Sequence, residues 1–256
     1  MVLDILTFFA HPDDETVFGG GTLAYLAEQG ADVHYLCATR GEGGERGDPP
    51  LCTQKELGDV RGSELRCAVQ ALGGRSLSFL GFQDPVIDSE GNLYAFAEDE
   101  VEVVRALEAV LRKRAPDVVI THGSDGEYGH PAHILAHRAM MAAVRYTQGK
   151  KPAVYTVAPF YENAPRPGLA NESDRADWVL DITPVREQKI QAATCHRSQH
   201  GLFLRHASER LGREAKISDV ILDEEALSLA FDPGIGSNRD PLGEILAEIA
   251  VQPFSN

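Results

Sequence analysis

The chain reads as α/β: a mainly parallel sheet with helices on both faces. Three observations predict this. Short, nearly continuous apolar runs recur at 2–10, 33–39, 76–80, 117–121 and 154–160, the length and character of strands buried on both sides. Segments of helical periodicity fall between them, and strands alternating with helices call for a parallel sheet covered on both faces. The chain has 256 residues, 43% of them hydrophobic, enough for one such core. We expect a single domain over 1–256 with a C-terminal elaboration from about residue 200.

The elements follow in order. Residues 2–10 are interrupted only by Asp4 and Thr7 and form the first strand. A helix over 16–29 stops at Gly30. A second strand, Val33 to Thr39, leads into a Gly-rich acidic loop at 40–51, solvated by default or else a wall of the pocket. A helix at 54–72 ends at Gly73-Gly74, and Ser76 to Leu80 is a short strand. Residues 99–114 form the plainest helix: Val103, Val104, Leu107, Val110 and Leu111 share a face, with acidic residues at its start and basic ones at its end. Pro116 stops it before a strand at Asp117 to Thr121, and His130 to Val144 is the next helix. Val154 to Phe160 and Trp178 to Ile182 read as strands, and Pro184 to His196 as a helix. Residues 161–177 form a long polar loop, a length usually functional or mobile. Residues 200–240 read as irregular, and Asp240-Pro241 opens a last short helix.

Charge and cysteine content narrow the function classes. The chain carries 24 basic and 39 acidic residues, a formal charge of −15, which repels phosphate backbones and argues against nucleic acid. No apolar run is long enough to span a bilayer. The Met-Val-Leu-Asp-Ile-Leu start lacks a basic signal region, so a cytoplasmic location is expected. The four cysteines form no Cys-x-x-Cys pair and are expected to be reduced, Cys37 and Cys67 as small buried hydrophobes. A homo-oligomer is compatible with the sequence, which says little on the point.

Two clusters carry chemistry: Ala10-His11-Pro12-Asp13-Asp14-Glu15 and Gly129-His130-Pro131-Ala132-His133. Each follows a strand, and right-handed crossovers put strand C-terminal ends on one rim, where ligands of open α/β sheets bind. If the clusters meet, His11, Asp14 and His133 make a three-ligand metal site with one position left for water. Such a centre lowers the pKa of water and polarises a carbonyl. Asp13 is then placed to take a proton. His130, if protonated, could stabilise an oxyanion or protonate a leaving amine, and Tyr128 could donate to the same oxyanion. Asp13 and Asp14 could instead merely cap the following helix. His137, one turn beyond His133, suits a core or supporting role.

The two clusters resemble the signatures of the PIG-L/LmbE-like N-acetylglucosamine deacetylases. Thr39-Arg40-Gly41-Glu42, Arg61-Gly62-Ser63-Glu64-Leu65 and His196-Arg197-Ser198-Gln199 resemble further elements of that family, so the likeness runs from about residue 3 to 200. It implies a Rossmann-like fold and zinc, with iron(II) the other candidate, on His11, Asp14 and His133. It implies Asp13 as general base and His130 as electrostatic stabiliser or acid. The implied reaction removes acetate from the 2-acetamido group of a small GlcNAc-containing molecule of the GlcNAc-malate, GlcNAc-inositol or chitooligosaccharide type. Alternatives are a thiol-conjugate amidase, or another metal-dependent amide hydrolase, and a non-catalytic sugar-binding module. Three further residues carry open readings. Arg61 contacts substrate or pairs on the surface, with Glu64 for instance; Asp84 binds sugar hydroxyls or starts a turn before Pro85. His196 closes the rim or caps its helix. Glu15 is read as a supporting residue. Gly19-Gly20-Gly21 lacks phosphate-loop spacing and is read as a close helix–sheet contact.

Overall fold

The computed structural model describes residues 2–88, 90–234 and 240–253. Its elements are β1 (Asp4–Phe9), α1 (Asp14–Glu28), β2 (Asp32–Cys37), α2 (Leu57–Ala71), β3 (Ser76–Phe79), α3 (Glu100–Arg114) and β4 (Val118–Thr121). There follow α4 (Gly126–Gly129), a single turn, then α5 (Pro131–Tyr146), β5 (Ala153–Val157), β6 (Pro159–Phe160), β7 (Asn171–Arg175) and β8 (Trp178–Asp181). The chain continues through α6 (Arg186–Cys195), α7 (His200–Leu211), α8 (Ile217–Val220), β9 (Glu224–Phe231), α9 (Gly243–Leu246) and β10 (Ala250–Pro253).

The main sheet has eight strands in the order β10-β8-β9-β5-β4-β1-β2-β3. Strands β3, β2, β1, β4 and β5 are mutually parallel, and β9, β8 and β10 add an antiparallel edge. From β1 the chain winds outward through β2 and β3, then returns to lay β4 on the other side of β1. The β1/β4 boundary is therefore the topological switch point, where the crevice above an open sheet forms. Phe8 pairs with Thr121 there, so the segments after both strands leave the same edge together.

Two apolar layers sandwich the sheet, as alternation along β1 requires. Ile5 and Phe9 face a layer built with Leu23 and Leu26 of α1, Leu65 and Val69 of α2 and Ala192 of α6. Leu6 and Phe8 face the opposite layer with Val103, Leu107 and Leu111 of α3 and Met140 of α5. Helix α3 starts where the sequence placed it, with the Asp99 carboxylate accepting from Val101 N–H at 2.9 Å. The triple glycine of α1 is a packing device, as read. A Cβ on Gly21 would lie 2.6 Å from Cβ of Ile182.

Several expectations are corrected. Residues 200–234 are not irregular: they hold α7, α8 and β9, while 235–239 lie outside the described residues. Strand β9 begins with two glutamates, which hid it. Glu225 is buried because Gly21 N–H, Thr22 N–H and the Thr22 hydroxyl donate to it and Lys189 Nζ lies 2.6 Å away. The strand expected over 154–160 breaks at Ala158, whose φ of 50° ends β5 before β6. The loop 161–177 contains β7, paired to β6. The last helix starts at Gly243, later than Asp240-Pro241 suggests.

The cysteine reading is also overturned. Cys67 of α2 and Cys195 of α6 form a disulfide, while Cys37 is free and buried as expected and Cys52 is also free. Their spacing in sequence concealed this, because α2 and α6 become neighbours only when both pack on the same sheet face. The bond closes a long loop and restricts the unfolded chain. Cys67→Ser should therefore lower the unfolding free energy by about 2–4 kcal/mol in urea titrations. Reductant should do the same to the wild type and nothing further to the variant.

Candidate metal and catalytic site

The turn after β1 carries His11 to Asp14, and the turn after β4 carries His122 to His133. The first turn closes through His11 N–H donating to Asp14 Oδ2 at 2.8 Å. Asp13 sits there with φ of 117°, a left-handed conformation that costs a non-glycine residue roughly 1–3 kcal/mol. It is over-determined from both sides: Asp13 N–H donates to Glu15 Oε2 at 3.0 Å, and Arg61 Nη2 donates to Pro12 O at 2.6 Å. In the second turn Pro131 is the first residue of α5, and His130 caps it by accepting from Ala132 N–H at Nδ1, 3.1 Å.

The clusters meet. His133 Nε2 lies 3.3 Å from His11 Nδ1 and 3.3 Å from Asp14 Oδ1, and His11 Nδ1 is 3.4 Å from Asp14 Oδ2. The far nitrogen of each ring is bound to a carboxylate: His133 Nδ1 to Glu127 Oε2 at 2.7 Å, His11 Nε2 to Asp84 Oδ1 at 3.3 Å. Those bonds assign the ring protons to the outer nitrogens, so two lone pairs and a carboxylate face one point. Nitrogen and oxygen donors converging in this way fit a divalent cation. Burial opposes charge on His11, but Asp14 and Asp84 outweigh it and lift its pKa to about 9, so a divalent cation would take the place of a proton at this ring.

His122 also approaches, with Nε2 3.4 Å from Asp14 Oδ2; it forms one cation-capable group with Asp14 and His133, and His130 forms another with His11 and His133. Its lone pair is already engaged, because Ala10 N–H donates to His122 Nε2 at 3.0 Å and Glu127 Oε2 takes the other nitrogen at 3.0 Å. His122 therefore acts as a strut, and His11, Asp14 and His133 are the better donors.

Glu127 is the residue that sequence reasoning missed and the site most needs. It is buried, has φ of 59°, and its carboxylate holds both His122 and His133. Burial opposes its charge, yet the two histidines hold its pKa well below the ordinary carboxylate range. Asn171 of β7 bonds its backbone and carboxylate, tying the 161–177 loop to the centre. The signal for His122 was present, since it follows a strand on the same rim as His11 does. Nothing local marked Glu127 within a polar turn.

The remaining expected residues are placed as follows. Asp13 lines the cleft and its Oδ1 lies 3.3 Å from Arg61 Nη2, leaving Oδ2 free of that pair. Burial raises its pKa to about 6 against the pull of Arg61. His130 lines the cleft and stacks on His133 at 4.5 Å between ring centroids. Its Nδ1 accepts from Ala132 N–H, which leaves Nε2 to carry the ring proton, and burial together with the neighbouring His11 and His133 depresses its pKa to about 3. Tyr128 stands half-exposed on the cleft wall. Asp84 lines the cleft, but its carboxylate serves His11 and accepts from Gly43 N–H at 3.2 Å. Arg61 is buried rather than superficial and does not pair with Glu64. It holds Pro12 and Gly41 carbonyls beside Asp13, and a Cβ at Gly41 or Gly44 would collide with it. The 40–51 loop thus walls the pocket. His196 is not at the rim: it is fully buried, 3.0 Å from Glu15 Oε1, and acts on the site through that carboxylate. His137 takes the supporting role expected, with Nδ1 2.9 Å from His122 O.

A cleft of about 640 Å³ opens above these groups. Fold and site together define a doubly wound α/β protein with an imidazole–carboxylate cluster, able to hold a cation, at its switch point. The family model described as GlcNAc-PI de-N-acetylase (PIG-L) matches residues 6–144. The 1D-myo-inositol 2-acetamido-2-deoxy-alpha-D-glucopyranoside deacetylase of Rhodococcus opacus (strain B4) is 44% identical, over 76% of this chain and 81% of that protein. Among solved structures, the 4-carboxy-2-hydroxymuconate hydratase of Pseudomonas putida KT2440 has a TM-score of 0.61 and 25% identity, covering 93% of this chain and 100% of that one. N,N'-diacetylchitobiose deacetylase from Pyrococcus horikoshii shares the fold with a TM-score of 0.61 at 20% identity, covering 91% and 87%. The chain belongs to the PIG-L family.

Glu127→Gln should weaken divalent-metal affinity about 10- to 100-fold, because it loosens the tautomers of two histidines. Asp14→Ala and His133→Ala should abolish tight binding, whereas Asp13→Asn should retain it. Competition with a chromogenic chelator measures all four. Equal metal loss in Asp13→Asn and Asp14→Ala would overturn the division of roles.

Proposed function

We propose that this protein is a metal-dependent N-deacetylase that releases acetate from the 2-acetamido group of a small GlcNAc-containing substrate. The observation that carries the reading is the convergence of His11 Nδ1, His133 Nε2 and the Asp14 carboxylate, with Asp13 beside them. The family and the 44% identical relative, itself a GlcNAc–inositol deacetylase by name, support the substrate class. Two imidazoles and a carboxylate suit zinc, and the same donors accept iron(II). A divalent ion held by His11, Asp14 and His133 would supply the charge that acidifies water and polarises the amide carbonyl.

The chain's own groups do the rest. Arg61 occupies Asp13 Oδ1, so Oδ2 accepts the proton of the attacking water. His130 Nε2–H and the Tyr128 hydroxyl donate toward the developing oxyanion, and a neutral His130 does this without placing a second charge beside the cation. As the C–N bond breaks, protonated Asp13 returns its proton to the leaving amine, giving free amine and acetate. Glu15 and Arg61 hold Asp13 at its strained angle throughout.

The test is acetate release by metal-loaded protein from GlcNAc-inositol, GlcNAc-malate and diacetylchitobiose, against an S-conjugate amide. Asp13→Asn should lower kcat by about 10²- to 10⁴-fold at unchanged metal content. Cleavage of the S-conjugate alone would move the protein to the amidase class. The likeness to a hydratase makes 4-carboxy-2-hydroxymuconate the further control, since one fold hosts unrelated chemistries.

A further inference from the structure

The cleft extends past the metal-capable cluster. Ile87 and Leu93 line it on one side, and Leu202, Phe203 and His206 of α7 on the other. Arg166 and Arg210 also line it. Arg166 donates to Val220 O and Arg210 to Asp219 O, so adjacent carbonyls of one segment hold the two guanidinium groups close together.

No carboxylate among the described residues pairs with either arginine. The acidic groups lining the cleft are all engaged elsewhere. Asp13 faces Arg61, Asp14 and Asp84 face the histidines, and Glu45 pairs with Arg205. Burial and the facing Arg210 charge pull the Arg166 guanidinium down to about 10. In a chain of formal charge −15, two facing cations without a counter-ion are out of character. Like charges held together in a partly desolvated cleft are unfavourable until an anion binds between them, and arginine forks suit carboxylate and phosphate oxygens.

We propose that this half of the cleft is a subsite for an anionic group on the part of the substrate beyond the sugar, a carboxylate or a phosphate ester, gripped by Arg166 and Arg210. The apolar side chains of Ile87, Leu93, Leu202 and Phe203 lower the local dielectric beside that ion pair and strengthen it. The inference rests on the deacetylase reading for the acetamido end. It predicts a charged substrate where a relative is named for an uncharged inositol glycoside.

The test uses three GlcNAc 1-O-glycosides that differ only at the terminus: hydroxyethyl, carboxymethyl and 2-phosphoethyl. On metal-loaded protein at low ionic strength, kcat/KM should be at least about tenfold higher for one or both charged glycosides than for the neutral one. The two charged arms distinguish carboxylate from phosphate. In Arg166→Gln and Arg210→Gln the charged-to-neutral ratio should fall about tenfold or more, with Arg210→Lys recovering part of it. Arg210 is exposed, so its variants test the pair even where Arg166→Gln disturbs the fold. A ratio near one in the wild type, or one unchanged in both variants, overturns the subsite. Calorimetric titration of the same glycosides reads the anion without turnover. Charge-selective binding that is lost in Arg210→Gln, with no acetate released from any glycoside, would retain the subsite and sink the deacetylase reading alone.

Discussion

Everything at the catalytic rim depends on the parallel register of β1 against β4. Phe8 lies opposite Thr121, and Thr121 Oγ1 donates to Phe8 O at 2.8 Å. A slip of one residue would turn every side chain to the other face. It would separate His11 from His133 and turn Phe8 and Phe9 into layers packed for other side chains. Two apolar layers hold the register, because both faces of β1 are buried. The cost of mispairing is thus the lost fit of several large side chains in two close-packed layers at once. A site assembled from distant segments needs such a constraint, since no local interaction joins its halves.

On that base the protein stacks unfavourable features that only their neighbours make tolerable. Asp13 and Glu127 both adopt left-handed backbone conformations. Buried carboxylates and imidazoles crowd together, and each would be costly alone. Glu127 is satisfied by two histidines, Gly123 N–H and Asn171. Glu15 is satisfied by His196, Thr16 and Asp13 N–H. Concentrated strain and charge of this kind mark functional centres more than structural ones. The result is a cation point with a carboxylate held next to it and kept off it by Arg61.

Much of this was legible beforehand. The strands of the parallel half, the helices covering them and the triad His11, Asp14 and His133 follow from apolar runs, cap residues and motif position. The antiparallel edge was less legible, because β9 carries Glu225 in a slot that only Lys189 and α1 make acceptable. Arg61 stayed open between a substrate contact and a surface pair because the glycine loop that closes over it lies elsewhere in sequence. His196 carried a motif but no depth, and its burial against Glu15 depends on how α6 docks on α1.

The amino-acid sequence by itself determined the alternation of strand and helix, the presence of two turns bearing histidine and aspartate and the rim on which both fall. These are properties of local pattern and chain handedness. Tertiary structure decided which lone pairs face inward, which histidine is a strut, that Cys67 meets Cys195, and that Arg166 and Arg210 stand together with no acid among the described residues paired to either. Proton position, burial and charge pairing are set by atoms from segments remote in the chain. They exist only once packing has brought those atoms within a few ångströms.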